Sequence, residues 1–370
     1  MTLWGRTAAE RLERQFALGG VGCVLSRDEA CGHDGAVVLV RADAVLDPPL
    51  IAILLRKAGL AIIGQGPEGP VPVAAHVEAG ALEAAARMLG GEAGRAPPGL
   101  ELREPGDLDA GFWKGLRKRE TPYALIVAPG NLAAVEWRMF MGTYKGATDF
   151  VTKHVWPWPA FHATRALAGL GVTPNWVTLA AAALTVAAFW LFLEGAFVSG
   201  LVAAWAMTFL DTVDGKLART TLTSSKWGDV FDHGIDLVHP PFWYVAWGIG
   251  LTATGQGLGG LFWPVIGAIL AGYVLQRAVE GIAIKWLGLE IHIWRPIDTW
   301  FRQVTARRNP NLAILTVATV FGRPDWGLVA VAVWTVICFV LHVIQLAQAF
   351  AAKRQMGPLT SWMELSAAPR

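Results

Sequence analysis

The chain has 370 residues, of which 54% are hydrophobic and 16% charged, with 18 tryptophans and a mean hydropathy of +0.42. Charged residues make up about a quarter of an ordinary globular chain, so part of this one has no water to face. The formal net charge of +2 is too small for a nucleic-acid binder, and no Lys/Arg tract interleaved with aromatics supports one.

The opening MTLWGRTAAERLERQF is charged within its first turns and has no apolar centre. It reads as no cleaved signal peptide, which keeps this end of the chain in the cytoplasm. Up to residue 130, apolar β-type runs (36–47, 58–64, 71–77 and 121–129) alternate with helical stretches (TAAERLERQFALGG, PLIAILLRK, AGALEAAARMLGG). That alternation predicts a soluble, Rossmann-like α/β domain over residues 1–130 with a mostly parallel sheet. GQGPEG at 64–69 is Gly-rich, but no phosphate-binding helix pattern follows it, so it reads as a plain loop. Cys23, Cys31 and Cys338 form no CxxC pair and read as free or buried thiols in a reducing compartment.

Residues 131–172 mix aromatics (Trp137, Phe140, Tyr144, Phe150, Trp156, Trp158) with Arg, Lys and His, as expected of juxtamembrane helices lying at the interface, broken at Pro157 and Pro159. A buried linker helix is the alternative. From 173 to 352, six stretches approach the ~20 apolar residues that a membrane helix needs: 176–194, 198–217, 229–252, 260–286, 308–322 and 327–351, the fifth being short. Lys216, Arg219 and Lys226 join spans two and three, Arg295, Arg302, Arg307 and Arg308 lie between four and five, and Lys353 and Arg354 follow six in a tail over 353–370. The connections at the other ends carry only Arg323, so the positive-inside rule puts both termini on the cytoplasmic side.

That side also receives the feature least at home in an apolar chain, DTVDGKLARTTLTSSKWGDVFDHGID, with five aspartates in residues 211–236. Asp211 and Asp214 are three residues apart, and Asp232 and Asp236 four, so each pair shares a helix face. If spans two and three are antiparallel neighbours, the pairs converge at the cytoplasmic mouth of the bundle. Converging carboxylates repel one another near a membrane. Divalent cations with a preference for oxygen ligands remove that objection and can clamp a pyrophosphate. Gly215 gives room for a close approach, and Arg219, one turn on, offers a forked phosphate donor.

The spacing D-x2-D-G-x2-A-R-x8-G-x3-D-x3-D resembles, position for position, the signature of CDP-alcohol phosphotransferases, and TPNWVT at 173–178 is similar to that family's entry into its first span. The resemblance covers roughly residues 140–350. It implies a six-helix membrane bundle and EC 2.7.8 chemistry in phospholipid biosynthesis, with two divalent ions (Mg2+ or Mn2+) on Asp211, Asp214, Asp232 and Asp236. Gly215, Ala218, Arg219 and Gly228 would line the CDP site. Asp236 would also be the base that deprotonates an acceptor hydroxyl, which attacks the β-phosphorus and expels CMP. A homodimer in the bacterial inner membrane is the usual setting.

Two substrate arrangements stay open. Either CDP-diacylglycerol gives its phospholipid part to a small hydroxyl compound such as inositol phosphate or glycerol phosphate, or a CDP-linked headgroup goes to a lipid alcohol, diacylglycerol or ceramide. FDHGID looks like the corresponding segment of choline/ethanolamine phosphotransferases, in which His233, four residues after Asp229, would be a second proton-transfer group. The fused N-terminal domain resembles the cytidylyltransferase of bifunctional CDP-inositol enzymes, with Asp43 where a metal-binding aspartate sits. It departs from them in lacking the N-terminal Gly-rich loop, which points to a degenerate domain, with Arg6, Arg11 and Arg14 on the polar face of a helix. Arg277, Lys285, Arg295, Arg302, Arg307 and Arg308 read either as phosphate donors or as anchors on anionic lipid. His292 and His342 show no partner in the sequence. A transporter is the reading of a different class, since charged residues inside spans mark ion paths. Against it, the carboxylates gather at one membrane face.

Overall fold

A computed structural model describes residues 1–25, 29–30, 33–92, 96–108, 111–224 and 226–365, leaving out the side chains of 226–227, 229–233 and 365. The chain divides into two units, Met1–Tyr144 with Arg219–Leu222, and Lys145–Ala218 with Thr223–Arg370.

In the first unit, α1 (Ala8–Leu18) opens on a reciprocal cap. Thr7 Oγ1 accepts from the Glu10 amide at 3.2 Å, and Glu10 accepts from the Thr7 amide at 2.8 Å. Two further helices follow, α2 (Pro48–Arg56) and α3 (Leu82–Leu89), with strands β1 (Val37–Val40), β2 (Ala44–Leu46), β3 (Leu60–Gly66), β4 (Gly69–Val77) and β5 (Glu101–Arg103). After the small ribbon of β6 (Phe112–Trp113) and β7 (Lys118–Arg119) comes β8 (Ala124–Ile126). The main sheet runs β1-β4-β3-β8-β2, with β5 also on β3. Leu50, Leu54, Leu60, Ile62 and Val73 are buried in its core.

The sheet is mixed rather than mostly parallel. β1–β4, β3–β4 and β2–β8 pair antiparallel, and only β3–β5 and β3–β8 are parallel. The segment expected to be a loop is the reason. GQGPEG closes a hairpin in which Gly66 faces Gly69, and strands joined by two residues can only be antiparallel. Gly64 is required there, because a Cβ would lie 2.8 Å from the Ala124 carbonyl oxygen.

The run 36–47 is likewise two strands on opposite edges, separated by a turn that Ala44 N closes on Arg41 O at 3.1 Å. Arg41 grips Asp43 through two hydrogen bonds of 2.9 and 2.8 Å, which holds the Asp43 carboxyl below the usual range. Arg11 is not on a polar face. It is 4% exposed and donates to the main-chain carbonyl of Thr220. Burial pulls its pKa down to about 10. α4 (Leu132–Gly142) also packs inside this unit, with Phe140 fully buried and stacked on Trp4 at 5.9 Å. The buried-linker alternative describes that helix.

The second unit is helical: α5 (Pro157–Gly169), α6 (Pro174–Leu193), α7 (Phe197–Thr220), α8 (Lys226–Ala253), α9 (Phe262–Ile282), α10 (Pro296–Phe301), α11 (Arg308–Val320) and α12 (Pro324–Met356). Pro157 and Pro159 start α5 rather than break a helix, because the first turn has no amide bond to lose. Four helices among the described residues are long and apolar enough to cross a membrane: Pro174–Leu193, Phe197–Thr220, Gly259–Leu287 and Pro324–Met356. α8 is long as well, at 28 residues. α11 has 13 residues, about 20 Å of helix against a hydrocarbon core of about 30 Å. Large apolar side chains point outward, among them Trp176, Trp190, Trp263 and Val336, where a soluble protein would present charge. With the four spans, that surface makes the chain an integral membrane protein.

Inside, Phe192, Met207, Trp247, Ile269 and Val331 form the core. α6 and α8 meet at Gly250, where a Cβ would fall 1.9 Å from the Phe192 carbonyl oxygen. Among the thiols, Cys23 is exposed and Cys338 buried, both free, whereas Cys31 lies outside the described residues.

Candidate active site

Three of the four predicted carboxylates have described side chains, and all three belong to the second unit. Asp211 and Asp214 sit on α7 and Asp236 on α8. Asp211 and Asp236 meet on one guanidinium, that of Arg308, and both act electrostatically on Asp214. One member of each expected pair is thus brought together across the two helices. Asp232, His233 and Asp229 fall on the backbone of α8, but their side chains lie outside the described residues. Gly215 and Ala218 follow on α7, half-buried, and Gly228 is half-buried on α8. Arg219 clusters with the first unit.

Asp214 is 3% exposed. Thr178 Oγ1, on the first turns of α6, donates to its Oδ2 at 2.6 Å, while Oδ1 is buried with no hydrogen-bond partner among the described residues. An orphaned carboxylate oxygen costs free energy on the order of 1–3 kcal/mol. Thr178 belongs to the TPNWVT segment, so the motif that enters the first span also holds an aspartate of the second.

Arg308, the first residue of α11, supplies the site's counter-charge. Its Nη2 donates to Asp211 Oδ2 at 2.5 Å and its Nη1 to Asp236 Oδ1. In the sequence Arg308 reads as a phosphate donor or a lipid anchor. Its partners lie 97 and 72 residues away, beyond what local spacing can signal. Among the described residues, no three His, Cys, Asp or Glu side chains gather closely enough to hold an ion. The donor type nevertheless fits a hard cation: oxygen ligands only, with one buried oxygen unpaired.

The α8 backbone is adapted just beyond Asp236. Pro240 and Pro241 interrupt the amide ladder, and Pro241 leaves the Leu237 carbonyl without its usual donor. Tyr273 Oη on α9 fills that place at 2.8 Å. His239 Nδ1 lies 2.7 Å from the Ile235 carbonyl oxygen. The Tyr273 hydroxyl thus satisfies the carbonyl that Pro241 frees in an apolar setting.

A family model described as CDP-alcohol phosphatidyltransferase matches residues 171–306, which contain the whole motif. The chain carries a CDP-alcohol phosphatidyltransferase domain. It is similar to the archaetidylinositol phosphate synthase of Pyrococcus horikoshii, 28% identical over 189 residues that cover 49% of this chain and 87% of that relative. It is thus a phosphotransferase of the EC 2.7.8 type, acting in phospholipid biosynthesis by phosphoalcohol transfer.

Three of the other predicted arginines are engaged elsewhere. Arg277 and Arg307 both pair with Glu280, and Arg295 holds Asp298 at 2.9 Å. His292 does have a partner, lying 3.1 Å from Glu280 Oε1. The two ring nitrogens of His342 are buried without hydrogen-bond partners among the described residues.

Proposed function

We propose that the chain is a divalent-cation-dependent transferase that moves the phospholipid part of a CDP-linked lipid onto the hydroxyl of a phosphorylated polyol, inositol phosphate in the first instance, with release of CMP. The convergence of Asp211, Asp214 and Asp236 from two helices carries the reaction type, and the similarity to an archaetidylinositol phosphate synthase supports the acceptor. Asp211, Asp214, Asp232 and Asp236 would hold two cations, Mg2+ or Mn2+, which when bound neutralise the pyrophosphate of the donor and the charge developing on CMP.

The chain's own residues do the rest. Asp236 takes the proton of the acceptor hydroxyl as its oxygen bonds to the β-phosphorus and the bond from that phosphorus to the CMP oxygen breaks. Gly215, Ala218 and Gly228 leave room for the nucleotide, and Arg219 offers its fork to a phosphate. His233 is a second candidate for proton handling. With six spans, counting α8 and α11, both termini and the aspartates would face the cytoplasm from a bacterial inner membrane, in a homodimer, and residues 1–130 would be a degenerate nucleotidyltransferase-like domain.

The deciding experiment gives the purified protein magnesium, CDP-diacylglycerol or its ether-lipid counterpart, and inositol phosphate, and follows CMP. CMP formed with inositol phosphate supports the proposal. CMP formed only with glycerol phosphate, or only from a CDP-headgroup and a lipid alcohol, replaces the substrates named here, and no CMP from any pair overturns the reading.

A further inference from the structure

We infer that Arg308 is the built-in counter-ion of the carboxylate cage and competes with divalent cations for Asp211 and Asp236, so that loading the site requires this guanidinium to move aside. The inference rests on the cation-dependent reading above and deepens it, because it concerns the same oxygens.

One guanidinium joins two helices, with Nη2 on Asp211 Oδ2 of α7 and Nη1 on Asp236 Oδ1 of α8. Its side chain is 15% exposed, that of Asp211 17% and that of Asp236 37%, so the Asp211 arm is shielded while the Asp236 arm reaches toward solvent. The backbone that carries it is fixed on two sides. Asn309 Nδ2 donates to Asp149 Oδ1 at 3.0 Å and to Thr152 Oγ1 at 3.2 Å, and Asn311 Nδ2 donates to the Tyr244 hydroxyl at 2.8 Å. Arg308 therefore leaves the carboxylates by rotating its side chain rather than by moving α11.

The competition follows from donor chemistry. A divalent cation draws on the lone pairs of carboxylate oxygens, and an oxygen already accepting a charged hydrogen bond has less to give. Arg308 takes one oxygen from each of Asp211 and Asp236, while Asp214 Oδ1 is buried and unpartnered. The cage thus combines an arginine-satisfied side with an oxygen that nothing in the described chain satisfies. The carboxylates of Asp211 and Asp236 repel one another, and a cation built into the fold holds the two together at the cost of metal affinity.

The test uses the full-length protein in detergent with Mn2+ as the probe, counting free and bound ion by electron paramagnetic resonance, alongside thermal unfolding with and without the ion. Arg308→Gln removes the charge. It is expected to bind Mn2+ roughly tenfold more tightly than the parent, with a lower unfolding midpoint in chelator and a larger rise on adding Mn2+. Arg308→Lys keeps the charge but loses the fork that reaches both aspartates, and should tighten binding by roughly threefold. Unchanged or weaker Mn2+ binding in the lysine variant overturns the inference, and that variant decides alone if the glutamine one does not fold. A parent protein that binds no Mn2+ at all overturns the cation-dependent reading, and this inference with it. A parent that binds, beside variants that bind no tighter, sinks the role of Arg308 only.

Discussion

Arg307 and Arg308 are neighbours at the start of α11, and each ends on acidic groups, yet their surroundings differ in kind. Arg307 joins Arg277 and His292 around the single carboxylate of Glu280. Arg308 joins two carboxylates from different helices, with Asp214 acting on them electrostatically and one of its oxygens unpaired among the described residues. The first group gathers three basic side chains on one carboxylate, as structural ion networks do. The second holds more negative charge than its resident cation answers, an arrangement that persists where a ligand makes use of it. Counting charges along the chain does not separate the two; counting partners does.

The largest expected effect sharpens that contrast. Asp236→Asn keeps the shape of the side chain and an oxygen for Arg308, but removes the group assigned to take the acceptor's proton. CMP release should fall by about a thousandfold, with the unfolding midpoint close to that of the parent. Near-normal turnover in this variant would sink the base assignment and leave the carboxylate cage as a binding site alone.

How much of this was legible in the sequence divides along the same line. Helices α6, α7, α9 and α12 were readable because each carries a long apolar run, and Asp211, Asp214 and Asp236 because three- and four-residue spacings put side chains on one helix face. The two-residue turn at Pro67 and Glu68 was visible in the sequence as well, but read as a loop it hid the antiparallel pairing of β3 and β4 and gave the wrong sheet. The partners of Arg11, Arg308 and Thr178 were out of reach. Each lies on another element, 36 to 209 residues away, and no local periodicity carries such information. The short α11 was uncertain in the sequence for a physical reason, since its 13 residues are anchored by Asn309 and Asn311 rather than by length.

The balanced cluster should respond in stability where the cage responds in rate. The Glu280 side chain is 18% exposed, and Glu280→Ala leaves Arg277, Arg307 and His292 around a missing carboxylate. Removing one partner of a buried pair costs about 3 kcal/mol, to be read from unfolding midpoints in detergent, with turnover per folded molecule retained. Lost turnover with an unchanged midpoint would break the comparison, because Glu280 would then belong with the aspartates.

The smallest effect concerns pH. His292 lies outside the spans, and burial pulls its pKa down to about 3 despite the hydrogen bond to Glu280, with Arg307 and Arg302 adding to the depression. Its His342 neighbour, 5.2 Å away ring to ring, is the other imidazole in the cluster. An unfolded chain returns His292 to about 6.5, so between about pH 6.5 and 3 the unfolded state holds a proton that the folded state does not. Stability therefore falls as the pH drops through that window and is unaffected by this group above it. By pH 5 the loss attributable to His292 reaches about 2 kcal/mol. His292→Asn, neutral throughout, should lose that much less stability than the parent between pH 7 and pH 5, whatever its starting midpoint. Equal losses in the two proteins would mean that His292 accepts a proton inside the folded cluster, and the Glu280 network would then have charge to spare, as the aspartate cage does.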